Sequence, residues 1–179
     1  MKYLFLLLLV PLTSWCDSPD LTHRLGVSLS AGFDIPVSGN NFDEDANGEF
    51  VAGIAGRYQL TPKSSLQLGY TRFEWSNSPA AVRLYDVMYL YRVTSLDWIT
   101  PILGIGAGAV DIANYNIDEN LKLGLRGRVG AEWIISKEVV MDFVVDYLYV
   151  CQMPGEEGTL ESNEIQAFAP QVVATYYFM

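Results

Sequence analysis

Charged side chains recur at even spacing inside otherwise apolar stretches, and they are the residues best placed to do chemistry. The stretch Asn120 to Ile135, NLKLGLRGRVGAEWII, carries Lys122, Arg126, Arg128 and Glu132 on one parity and Leu121, Leu123, Leu125, Val129, Ala131, Trp133 and Ile135 on the other. The apolar stretch that follows holds Asp142 and Asp146 in the same way, and Arg24 and Arg57 occupy matching places earlier in the chain. Successive side chains of a strand point to opposite faces. Arg24, Arg57, Lys122, Arg126, Arg128, Glu132, Asp142 and Asp146 are therefore expected to line one face of a sheet. An unpaired buried ion is costly, so basic residues on one strand facing Asp142 and Asp146 on the next would neutralise one another. The same residues could instead line a narrow passage.

Other chemistries find little support. His23 is the single histidine, and its parity is opposite to that of Ser28 and Ser30. A serine nucleophile needs its base on the same face, so no catalytic residue is assigned. Gly104, Gly106 and Gly108 form GxGxG, but a dinucleotide fingerprint needs a third spaced glycine opening a helix. Asp43, Asp45, Asn47 and Gly48 begin like a calcium loop, yet Ile54 stands where the closing glutamate belongs. No metal and no cofactor is expected. A formal charge of −10 disfavours nucleic acid as a partner.

Residues 1–16, MKYLFLLLLVPLTSWC, read as a secretory signal, with Lys2 before an apolar core and small residues near the expected cleavage. Cys16 would be lipidated only with a small residue before it, where Trp15 stands; its removal leaves Cys151 alone, without a disulfide. The expected mature domain is 17–179. Within it no further run of about 18 apolar residues exists to form a spanning helix, although 50% of the chain is hydrophobic.

Alternation predicts strands over 23–33, 50–60, 65–75, 82–93, 98–110, 120–135, 139–150 and 164–178, with connections that alternate long and tight. Long outer loops and short inner turns characterise transmembrane barrels. The fold class is therefore all-β, an eight-stranded antiparallel up-and-down transmembrane β-barrel. The interior of such a barrel is just wide enough for side chains to fill, which favours a polar core over an open pore. Tyr58, Tyr70, Trp98, Trp133, Tyr147, Tyr176 and Phe178 are read as outward aromatics and are expected to form girdles.

The signal segment, the strands LGYTRFEW and TPILGIGAG, and the ending Tyr176-Tyr177-Phe178 resemble the small outer-membrane β-barrel family: the OmpA-type transmembrane domain, OmpX and, more distantly, OmpW. In that family the last residue is usually phenylalanine, read by the barrel-assembly machinery; here Met179 follows Phe178. The resemblance implies the bacterial outer membrane, with its lipid and lipopolysaccharide as partners and the assembly machinery acting during insertion. It implies a structural or surface-interaction role, with a host or extracellular ligand on the loops. A narrow channel for small or apolar solutes is the alternative, and a lipid-modifying enzyme ranks last.

Overall fold

Alternating sequence becomes strand along nearly its whole length. The computed structural model describes residues 21–38, 47–76, 81–93, 99–113, 121–151 and 165–178. Its strands are β1 (Leu25–Phe33), β2 (Ile35–Ser38), β3 (Asn47–Thr61), β4 (Ser64–Ser76), β5 (Ala81–Arg92), β6 (Ile99–Ala113), β7 (Leu121–Ile134), β8 (Val139–Cys151) and β9 (Ile165–Tyr177). From β3 onward each strand pairs antiparallel with the next, β1 pairs with β3, and β9 returns to pair with β1. β2 continues the line of β1 beyond Asp34 and pairs with β9. The result is a closed, up-and-down barrel of eight staves, the first of them made of β1 and β2.

The register fixes the barrel's dimensions. Leu25 faces Tyr58, and the partners run on through Leu66, Tyr89, Ile105, Gly127, Tyr147 and Phe168 to Ile35, ten residues along the first stave from the start. With strands roughly 4.8 Å apart and a rise of about 3.3 Å per residue, that stagger gives a tilt of about 41° and a backbone radius of about 8 Å.

The sequence-based boundaries change in three places. Residues 35–38, 47–49 and 111–113 were expected in loops but lie in strands. Asp34 makes the first extension possible: its N–H donates to the Glu49 carbonyl at 3.0 Å, and its carboxylate accepts the Glu49 N–H at 2.9 Å. At the other end regular strand begins at Leu25, because His23 has φ 64°, a left-handed conformation that histidine tolerates better than most residues. The His23 N–H donates to the Gln59 carbonyl at 2.8 Å. Leu21, ahead of the first predicted strand, is buried against Val140 and Tyr177.

The expected alternation of long and tight connections holds only in part. Residues 77–80 join β4 to β5 on the wide-loop side, whereas 93–98 join β5 to β6 on the tight side. By length the two are reversed, because β4 and β5 carry their ladder on past the apolar band and leave little chain for the loop.

Beyond Tyr70 the alternation persists, and the polarity of the two faces inverts. On β4, Thr71 and Phe73 point inward while Arg72 and Glu74 point outward; on β5, Val82 and Leu84 point inward and Arg83 outward; on β6, Val110 points inward and Asp111 outward. Below that level the outward residues are apolar, and above it they are charged.

Candidate functional site

Strand parity and register together stack the interior in five layers. At the tight-turn end Leu21, Val140 and Tyr177 form an apolar cluster with Ile134 against it. Above it lies an ionic layer. Arg57 donates to Glu132 at 2.6 Å and to Asp142 at 2.8 Å, and Arg92 donates to the second oxygen of Glu132 at 2.6 Å. Ile102, Val144 and Val173 form the middle apolar layer, with Met88 and Leu90 also buried. A second ionic layer follows. Arg126 donates to Asp146 at 2.5 Å and to Asp86 and Thr71 at 3.1 Å each. Arg128 donates to both oxygens of Asp146, at 2.6 and 2.9 Å, and Gln171 adds a bond at 2.9 Å. Val51, Phe73, Val82, Leu84, Val110, Leu148, Val150 and Ala169 seal the wide-loop end.

Each ionic layer holds two arginines and two acids, so each is neutral. That balance is what a low-dielectric interior requires, since excellent geometry and full pairing must offset the loss of hydration. Glycines make room for these long side chains. Gly104, for example, faces the Cβ of Arg128 and the end of Leu90 so closely that a side chain would collide with both. Arg126 Nε, Arg128 Nη1 and Gln67 Oε1 have no protein partner among the described residues. All three residues line a cavity of about 10 Å³ with Ser28, Ser30 and Thr71, room for about one water molecule.

The eight charges singled out in the sequence fall into four places. Arg57, Glu132 and Asp142 lie in the lower ionic layer, and Arg126, Arg128 and Asp146 in the upper one. Arg24 stays at the tight-turn rim and donates to the Lys137 carbonyl at 3.2 Å. Lys122 is half-buried on the inward parity at the opposite mouth, without an ion pair among the described residues. Asp142 faces Glu132 in the β7–β8 register, and its arginine comes from β3 across the lumen. Sequence reasoning left Asp86 and Arg92 out of the cluster. Their shared parity marks the inward face of β5, a strand whose two faces are both largely apolar.

On the outside, Tyr58, Trp133, Tyr176 and Phe178 lie at the tight-turn end, where Tyr176 and Phe178 meet edge to face at 5.5 Å. Tyr70 and Tyr147 lie toward the other end. Tyr70 packs on Tyr85 at 5.1 Å and Tyr147 on Phe168 at 5.0 Å, and the Tyr147 hydroxyl donates to Gln166 at 2.7 Å. Trp98 lies outside the described residues. Leu25, Val27, Leu29, Ile54, Leu68, Val87, Ile105, Leu125 and Val129 fill the exposed band between the two ends. A continuous apolar surface of this kind marks a surface that meets lipid.

Solved structures share this architecture. Neisserial surface protein A matches with a TM-score of 0.67 at 15% identity, over 86% of this chain and 97% of that one. The fold is that of the small outer-membrane β-barrels. The N-terminal β-barrel domain of Pseudomonas aeruginosa OprF matches with a TM-score of 0.56 at 16% identity, over 86% of this chain and 97% of that one. AlkL, solved in lipid bilayers, matches with a TM-score of 0.52 at 13% identity, over 91% of this chain and 93% of that one. No protein-family model and no curated sequence matches the chain. At these identities the likeness establishes the barrel fold. Among the described residues no helix is long and apolar enough to cross a membrane, which says nothing of crossing by strands. No group of three His, Cys, Asp or Glu among them is placed to hold a metal.

Proposed function

We propose that this chain is an outer-membrane anchor with a structural or surface-interaction role, holding its wide-side loops outside the cell. The observation that carries this reading is the filled lumen: three apolar layers and two neutral ionic layers occupy the interior from end to end. A barrel of about 8 Å radius packed in this way presents its rim and loops to partners and offers solutes no path. In this reading residues 1–16 direct export and are removed, the assembly machinery inserts 17–179, and lipopolysaccharide surrounds the outer half. A host or extracellular ligand would meet the loops. Neisserial surface protein A, a surface protein by its printed name, is the shared fold that fits this role best.

Planar-bilayer recording of the refolded barrel, run beside a cell-surface binding assay, tests the reading. Electrical silence together with binding by cells that display the protein is expected. Stable unitary openings abolished by Arg126→Ala or Asp142→Ala would overturn it.

A further inference from the structure

Among the described strand residues, four charged side chains fall on the outward parity: Arg72, Glu74, Arg83 and Asp111. They sit on three adjacent strands at the wide-loop end; among the described residues of the other strands, only Glu49 of β3, beside a bulge, also carries an exposed charge. Register makes the patch a row. Arg72 faces Arg83 directly across β4 and β5, and Arg83 faces Asp111 across β5 and β6. Two residue pairs below, on the same face, the Tyr70 and Tyr85 rings pack together where the apolar band ends.

Two like charges placed directly opposite on a sheet destabilise it unless an anion relieves them. The acids present lie to the sides. Glu74 meets Arg72 at 2.7 Å from two residues farther along the same strand, and Asp111 meets Arg83 at 3.3 Å from the next strand. Each guanidinium gives one nitrogen to its acid, and Arg72 and Arg83 remain 51% and 41% exposed. An arginine carries five donors in a planar fork suited to phosphate oxygens. The chain is otherwise acidic, with 11 basic against 21 acidic residues, so its general field does not favour anions and any such binding must be local.

We infer that Arg72 and Arg83 form a site for the phosphomonoester of a phosphorylated glycolipid in the outer leaflet, seated above the Tyr70–Tyr85 pair. The phosphate bridges the two guanidiniums, and the acyl chains lie along Leu68, Val87 and Ile105 below. The inference rests on the outer-membrane reading, because only the level of the patch relative to the apolar band puts it among headgroups. In a membrane of that kind the outward-facing anion at this depth is the lipopolysaccharide phosphate.

The test uses the folded barrel in neutral maltoside micelles, with folding followed by heat-modifiable gel mobility and binding by thermophoresis. The probes are lipid A, enzymatically dephosphorylated lipid A, phosphatidylglycerol and inorganic phosphate. Lipid A should bind saturably, and Arg72→Gln with Arg83→Gln should weaken it at least tenfold without loss of folding. Glu74→Gln with Asp111→Asn should tighten it, because the competing acids are removed. Dephosphorylated lipid A should lose the same affinity as the arginine variant, and inorganic phosphate should compete only at far higher concentration. Unchanged binding by the arginine variant, weaker binding by the acid variant, or equal binding of dephosphorylated lipid A overturns the site. Equal affinity for phosphatidylglycerol overturns the choice of glycolipid, and equal affinity for free phosphate overturns a lipid source. Failure of the outer-membrane reading itself would look different, as a wild-type barrel that does not insert into lipid vesicles.

Discussion

Removing Asp146 should cost more than any other single carboxylate substitution. Its two oxygens accept from Arg126 at 2.5 Å, from Arg128 at 2.6 and 2.9 Å, and from Gln171 at 2.9 Å. Asp146→Leu leaves Arg126 with Asp86 and Thr71, both at 3.1 Å. Arg128 is left with no ionic partner, and the layer changes from neutral to one net positive charge. Stranding one partner of a buried pair costs about 3–5 kcal/mol. Adding Arg128→Leu restores neutrality around Arg126 and Asp86, and replacing a whole buried pair by apolar residues is often neutral. The double variant should therefore recover to within about 1 kcal/mol of the parent, apart from packing. Urea titration of the vesicle-inserted barrel, followed by tryptophan fluorescence and gel mobility, measures all three states. A single variant that loses less than about 1 kcal/mol, or a double variant no more stable than the single, would refute the claim that charge balance governs this layer.

Three further outcomes follow from packing. Gly108→Ala should prevent refolding, because the added carbon would overlap the Tyr85 carbonyl oxygen, whereas Gly127→Ala on the open outer wall should refold normally; the fraction of heat-modifiable protein separates them. Phe73→Ala should cost about 3–5 kcal/mol as a large buried side chain, yet bilayer recordings should stay silent, because the ionic layers below still fill the lumen. Glu74→Ala should lower the unfolding free energy read from a urea titration by no more than about 1 kcal/mol, as its pair with Arg72 is exposed.

Much of the barrel was legible because period-two alternation between a lipid wall and a packed interior leaves a strong record. The parity of every long strand read from sequence matches the burial seen, including the ambiguous β5, where Asp86 and Arg92 set the direction. Two things were less legible. The first is the inversion above Tyr70: outside the apolar band the outward face becomes polar and the inward face apolar, so Phe73 and Arg72 exchange the roles their types had lower down. A reader who assumes one lipid-facing rule along the whole strand sees disorder there. The second is partner choice. Adjacent-strand logic pairs Asp146 with Arg126 and Arg128. It cannot find the bond from Arg57 to Glu132 and Asp142, because that contact spans the lumen and depends on the closing stagger. Leu21 was missed for a related reason, since its burial depends on the turn at His23.

The stave that closes the barrel has a consequence for how the protein forms. Seven of the eight joints link strands that are neighbours in the chain, but the last brings Gly26–Gly32 against Gln171–Tyr177, near the two ends of the described chain. Bringing such distant segments together costs about 2 kcal/mol more in chain entropy than closing a ten-residue hairpin. Until that joint forms, β1 and β9 are open edges able to recruit another strand. The Ser28–Thr175 hydroxyl bond at 2.8 Å lies within this joint. Seam closure, and not hairpin formation, therefore sets how long the nascent sheet is vulnerable to mispairing.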